Sequence, residues 1–266
     1  MFEILAFFMG ASVGSFLNVV ADRLPEGRSV VHTRSFCESC NHTLNPMDMV
    51  PVVSFLWLRG KCRHCRASIP ARLVLVEALT GLLFTALYLR HGFGPEFAVL
   101  GPAVSVLVVV ALIDLERGLI LDRIIFPSIA ALLVLAPFWT EVGLSRSFLG
   151  SSSTVASLSN SVVAGAGAFL LFLGFAVAYP AGMGGGDIKL AGALGLLVGY
   201  PGVFFAVWLA VVGGGLVAVL LLVLRKKGRK DAIPFGPFLA AGAAAVLLAG
   251  GEFLDWYHDI VGILQV

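Results

Sequence analysis

Charge is what this sequence has least of. Asp, Glu, Lys and Arg make up 13% of its 266 residues, against 59% hydrophobic residues and a mean hydropathy of +0.97. Soluble domains carry about 25% charged residues, so a soluble enzyme is excluded and an integral membrane protein is indicated. Cysteine is scarce too. All four lie between positions 37 and 65, which excludes a disulfide-stapled scaffold elsewhere. No Lys or Arg precedes the first apolar run, and Glu3 stands within it. A cleaved signal peptide opens on basic residues, so this run reads as a retained first span. A net charge of +2 gives no basic footprint for nucleic acid, and no such partner is expected. No internal repeat is evident.

What is present is apolar sequence in long runs. Eight helical spans are predicted, over 2–21, 73–90, 97–115, 122–138, 158–179, 188–200, 203–224 and 235–250. Most approach the roughly 20 residues that cross a hydrocarbon core. The fold class is therefore an all-α polytopic membrane protein, with a cysteine-bearing loop after the first span. Its organisation reads as a first span (1–21), a loop (22–72) and a membrane domain (73–266). With the first terminus outside, only Arg90 and Arg146 of the 18 Lys+Arg fall on the outer side. The positive-inside rule makes the other side cytoplasmic. The Ser-rich segment 151–160 reads as a flexible outer loop, and the aromatic tail from Glu252 to His258 as an interfacial anchor.

The cysteines form Cys37-Glu38-Ser39-Cys40 and Cys62-Arg63-His64-Cys65. Paired C-x-x-C motifs at this distance point to a closed, structural tetrahedral zinc site. Arg59, Lys61, Arg63 and Arg66 are expected to help hold the thiolates deprotonated. Two disulfides are the alternative, disfavoured in a cytoplasmic loop. His32, His42 and His64 read as surface residues.

Two carboxylates sit at the ends of apolar runs: Asp114 in Leu112-Ile113-Asp114, and Asp187 in Gly184-Gly185-Gly186-Asp187-Ile188-Lys189. Acids at such positions are costly to desolvate and are functional candidates by default. The topology puts both at the same face. Two carboxylates sharing one proton can activate water and protonate a carbonyl, which is aspartyl protease chemistry. Gly184 and Gly186 would let a substrate backbone approach or supply free N–H groups. Lys189 reads as an interfacial lysine or as a charge tuning Asp187. Glu116 and Asp122 read as solvated loop acids. Glu77, inside an apolar run, needs a partner, either Arg72 or a backbone group.

These segments together resemble the type IV prepilin leader peptidases, the A24 class of GxGD-type aspartyl proteases. The resemblance rests on Gly14-Ser15-Phe16-Leu17-Asn18-Val19, Arg23-Leu24-Pro25, both C-x-x-C pairs, Pro51-Val52-Val53-Ser54, Leu58-Arg59-Gly60-Lys61-Cys62, Val76-Glu77-Ala78-Leu79-Thr80, Leu112-Ile113-Asp114, the glycine-rich run before Asp187, and Ile233-Pro234-Phe235-Gly236-Pro237-Phe238. One departure stands out: Leu121-Asp122 lacks the family's intervening proline.

The resemblance implies cleavage of a basic leader from type IV prepilins or type II secretion pseudopilins at the cytoplasmic face of a bacterial inner membrane, with Asp114 and Asp187 catalytic. It also implies N-methylation of the new terminus, usually Phe, with S-adenosyl-L-methionine as donor. The residues that would bind the donor are unknown from sequence. Glu26, Glu38 and Asp48 are the acidic candidates for contacting the leader. The rival readings are an ion-coupled transporter, a membrane-anchored zinc module that only binds, and a peptidase without methyltransferase activity.

Overall fold

The structure is a computed structural model. It describes every residue except 32–34, 145, 147–150, 152, 181, 227, 229–232 and 264–266, and the side chains of 250–263. The described residues form helices α1 (Phe2–Arg23), α2 (Val53–Trp57), α3 (Ala71–His91), α4 (Pro95–Arg117), α5 (Asp122–Leu135), α6 (Thr154–Ala178), α7 (Gly185–Val198), α8 (Gly202–Val223) and α9 (Gly236–Ile263), with short 3-10 turns at Pro46–Met49 and Ala136–Phe138. The eight predicted segments are all helical. Among the described residues five helices, α1, α3, α4, α6 and α8, are long and apolar enough to cross a membrane. This is a multi-pass, all-helical membrane protein. The chain divides into two compact units, Met1–Val109 and Val110–Val266, with the boundary inside α4.

In the first unit α1 lies against α3. Glycine on the facing surfaces permits the approach: a Cβ at Gly14 would stand 2.9 Å from the Glu77 Cα, and one at Gly81 2.8 Å from the Phe7 ring. Small residues serve this purpose in lipid, where apolar burial gives no drive between helices. Polar links close the end next to the cysteine loop. Arg72 donates to both Asp22 carboxylate oxygens at 2.9 Å, and buried Asn18 donates to the Leu73 carbonyl at 3.1 Å. Arg72 is thus committed to Asp22. Glu77 takes the backbone alternative, accepting from the Val52 N–H at 2.7 Å.

The second unit is organised around α7. Its 14 residues span roughly 21 Å, short of the hydrocarbon thickness, yet everything from Leu190 to Leu197 is buried. Protein, not lipid, surrounds it, which is where short or broken helices are tolerated. α6 covers one side so closely that a Cβ on Gly195 would overlap the Ala164 backbone.

From Thr154 onward the Ser-rich segment is helix and not a loop. Ser153 caps α6, its side chain accepting from the Ala156 N–H at 3.2 Å. Ser157, Asn160 and Ser161 are fully buried. Small polar residues read as surface in sequence, but each of these meets a main-chain or guanidinium partner. Ser157 donates to the Ala136 carbonyl. Asn160 exchanges two hydrogen bonds with the Tyr200 backbone. Ser161 accepts from Arg146 at 2.8 Å. Arg146 is buried as well. It lies 4.3 Å over the Trp139 ring and donates to the carbonyls of Leu196 and Leu197, capping the C-terminus of α7. Burial brings its guanidinium down to about 9. At the chain's end α9 bends at Ala249 and continues to Ile263. The aromatic tail's side chains lie outside the described residues.

Gly195→Ala is expected to destabilise the protein by about 1–3 kcal/mol through overpacking. Gly167→Ala, with open space around its Cβ position, is expected to be neutral. Thermal unfolding in detergent measures both.

Candidate active site and metal centre

The cysteines converge. Their four sulfurs lie within 4.8 Å of one another, and Cys37 Sγ and Cys65 Sγ are 3.8 Å apart. A tetrahedron with metal–sulfur arms of about 2.3 Å has edges of about 3.8 Å. The donor set and its spacing therefore fit one zinc ion. All four are free thiols, which goes against the disulfide alternative.

The two knuckles repeat one another, a repeat that sequence inspection missed. In the first, the Cys37 N–H donates to the His42 carbonyl and the Asn41 N–H to the Cys37 carbonyl. In the second, the Cys62 N–H donates to the Ala67 carbonyl and the Arg66 N–H to the Cys62 carbonyl. Bridges Phe36–Thr43 and Lys61–Ser68 close both. Asn41 and Arg66 hold matching left-handed conformations, φ 56° and 61°. The repeat lives in backbone conformation, where the side chains between the cysteines differ. Main-chain hydrogen bonds from Cys40 and Ser39 pull the Cys37 thiol down to about 7, while at Cys65 the Ala67 backbone is outweighed by burial and the neighbouring thiols, which push it up to about 11. His42 and His64 stack with ring centroids 3.6 Å apart. His32 lies outside the described residues.

Both candidate carboxylates lie in the second unit. Asp114 is in the last turn of α4, 6% exposed. A helix C-terminus disfavours an anion. The start of α9 offsets this: the Gly236 N–H, an N-terminal donor with no partner inside its helix, donates to Asp114 Oδ2 at 2.9 Å. Asp187 lies in the first turn of α7, where the helix dipole favours negative charge. The Asp114 charge acts on Asp187. Asp187 Oδ1 is buried without a hydrogen-bond partner among the described residues.

The supporting residues sort differently from the sequence expectation. Gly184 caps α7 in an extended conformation, and a Cβ there would make only ordinary contact at 3.5 Å with Asp187 Oδ2. Gly186 is where space runs out: a Cβ would stand 2.7 Å from the Ile120 Cβ. Lys189 is bonded to Asp122 at 2.7 Å and lies 5.2 Å from the Phe126 ring centre. It ties the start of α7 to the start of α5, so Asp122 is an ion-pair partner and not a bystander. Leu121 precedes α5 with φ −78° and ψ 126°, near the conformation proline would impose, so the turn forms without one. Of the acids offered for the leader, Glu26 is paired with Arg28 and Asp48 with Arg63, both at 2.7 Å.

Gly236, which the sequence offered only within the Ile233–Phe238 motif, is a further candidate site residue. A Cβ there would fall 2.6 Å from Asp114 Oδ2. Its signal was a glycine between Phe235 and Pro237 at the start of an apolar run, legible only once α9 is seen to begin at that carboxylate.

Comparison with known proteins gives the family. A bacterial peptidase A24 N-terminal domain matches residues 8–91, and the type IV leader peptidase family matches residues 101–220. The chain belongs to the type IV leader peptidase family. A prepilin leader peptidase/N-methyltransferase of Aeromonas hydrophila is 34% identical, covering 95% of this chain and 92% of that protein. One from Bacillus subtilis is 31% identical over 95% of this chain and 96% of its own length. One from Pseudomonas aeruginosa is 30% identical over 98% and 95%. No solved structure matches.

Three outcomes are expected. Purified protein carries about one zinc per chain by elemental analysis, and acidification releases it as the thiolates protonate. Gly236→Ala, by displacing Asp114, lowers activity by about 10²-fold, the order expected for a misplacement near 1 Å. Gly184→Ala is expected to leave the fold unchanged by thermal unfolding.

Proposed function

We propose that this protein is a prepilin peptidase that uses Asp114 and Asp187 as an acid–base dyad. The observation carrying the proposal is the pairing of the two acids. Both sit at the ends of apolar helices in one unit, each beside a helix N-terminus, with the charge of one acting on the other. Two carboxylates at close range cannot both ionise readily, so the pair holds one proton. The ionised member takes a proton from water as it attacks the scissile carbonyl. The protonated member donates to the carbonyl oxygen, and the proton then passes to the leaving amine. The proton belongs to the pair and not to a fixed partner. Gly236 holds one oxygen of Asp114 still, and Asp187 Oδ1, buried without a partner among the described residues, keeps its acceptor capacity unused.

The substrate class follows from family and topology. The relatives are named for prepilin leaders. With eight spans and the basic loops inside, both acids face the cytoplasm of an inner-membrane protein, where the substrate's apolar helix enters from lipid and its basic leader remains in water. Zinc is structural, held by Cys37, Cys40, Cys62 and Cys65. N-methylation of the new terminus is also proposed, on the relatives' names. The methyl donor, S-adenosyl-L-methionine, carries a sulfonium. The cleft lined by Arg59, Lys61, Arg63 and Arg66 does not suit that positive charge, and no residue is assigned to the donor.

The test is mass spectrometry of a purified prepilin incubated with the enzyme. Asp114→Asn and Asp187→Asn should each abolish cleavage, and the double variant should be scarcely worse, as for residues that act as a unit. Asp122→Asn loses one partly exposed ion pair, worth about 0.2–1 kcal/mol, and should retain most activity. Full cleavage by either catalytic variant would remove the dyad.

A further inference from the structure

The second zinc knuckle carries a surface that neither metal binding nor proteolysis uses. A cleft of about 430 Å³ is lined by Trp57, Leu58, Arg59, Lys61, Arg63 and Arg66. Trp57 is 81% exposed and neighbouring Leu56 67%. Of the four cations only Arg63 is in an ion pair among the described residues, with Asp48. Arg59, Lys61 and Arg66 point no charge at a carboxylate within ion-pair reach there. The cleft is therefore strongly positive, with an exposed indole at its edge.

The backbone at two of these cations is unusual. Arg59 and Arg66 both adopt left-handed conformations, φ 52° and 61°. Non-glycine residues other than Asn, Asp and His are uncommon there. The matching position in the first knuckle is Asn41, a residue that tolerates this conformation. Arginine at that position is conformationally unfavourable, and such residues concentrate where a ligand or a partner is held. The scaffold is also tied to the membrane helices. It runs from the end of α1 to the start of α3 and is fixed by the Arg72–Asp22 pair and by Glu77 against Val52. The cations are held beside a membrane surface, not on a free tether.

We propose that this cleft binds the phosphate headgroups of anionic phospholipids, docking the zinc module onto the bilayer. Juxtamembrane cations are attracted to anionic leaflets, and tryptophan concentrates at the membrane–water interface. A free phosphate would satisfy the cations alone and leave Trp57 and Leu56 in water. A lipid headgroup with its acyl chains accounts for both chemistries. The docking is separate from proteolysis and does not depend on the dyad.

The experiment uses the full-length zinc-loaded protein in nanodiscs of phosphatidylcholine, with or without phosphatidylglycerol. Hydrogen exchange is followed across residues 53–70, together with quenching of tryptophan by brominated lipid. Trp57→Phe identifies the Trp57 component. Expected are slower exchange and Trp57 quenching in discs containing phosphatidylglycerol. Both should be lost at high salt and in an Arg59→Gln/Lys61→Gln/Arg66→Gln variant that still binds one zinc. Inorganic phosphate should not reproduce the protection. Equal exchange and equal quenching in the two lipids would overturn the proposal. So would protection that appears only with inorganic phosphate or with an acidic peptide. If the triple variant loses zinc, Trp57→Ser decides by hydrogen exchange alone: protection by phosphatidylglycerol that persists undiminished in that variant would overturn the proposal, and its loss with zinc retained would support it.

Discussion

Main-chain amides at helix starts, set against one buried and one half-buried carboxylate, are the interaction on which the second unit depends. A carboxylate at a membrane edge has lost most of its water and needs replacement donors. Here the replacements are built into the fold. The first N–H of α9 meets Asp114, and Asp187 stands in the first turn of α7. Neither arrangement uses a positive side chain among the described residues, and in the proposed mechanism such a charge would oppose the sharing of a proton. Lys189, the cation nearest in sequence to Asp187, is turned away and held by Asp122.

The remaining packing of the unit can be traced to that need. α7 must present Asp187 at a fixed height, yet it is too short to be positioned by the bilayer. It is fixed instead by contacts at both ends: Lys189 to Asp122 at one, and Arg146 to the last carbonyls at the other. Between the ends, Gly192 and Gly195 bring it against the α6 backbone. Where a Cβ would intrude, at Gly186 and Gly236, glycine keeps the approach open.

Sequence revealed this design unevenly. The positions of the long helices were legible because apolar runs and charged breaks mark them directly. The cysteine cluster was legible because ligand spacing is a local property. Asp114 and Asp187 were legible because acids are conspicuous among apolar residues. Contacts between distant segments were not. Nothing local says that Gly236 meets Asp114 or that Asp122 meets Lys189. The polar start of α6 misled for a related reason, because Ser157, Asn160 and Ser161 find partners only in tertiary structure. The knuckle repeat escaped because it resides in dihedral angles, with Arg66 doing in the second what Asn41 does in the first.

The central claim is that Asp114 and Asp187 share a single proton in the active state. The pH dependence of kcat/KM for prepilin cleavage tests it most directly. A shared proton requires one carboxylate ionised and one protonated, so the profile should be bell-shaped, with two macroscopic ionisations assignable to the pair. Replacing either acid should abolish the profile and not merely displace one limb. A profile with a single ionisation, rising to a plateau with pH, would contradict the account, because it would show that one base acts without a protonated partner.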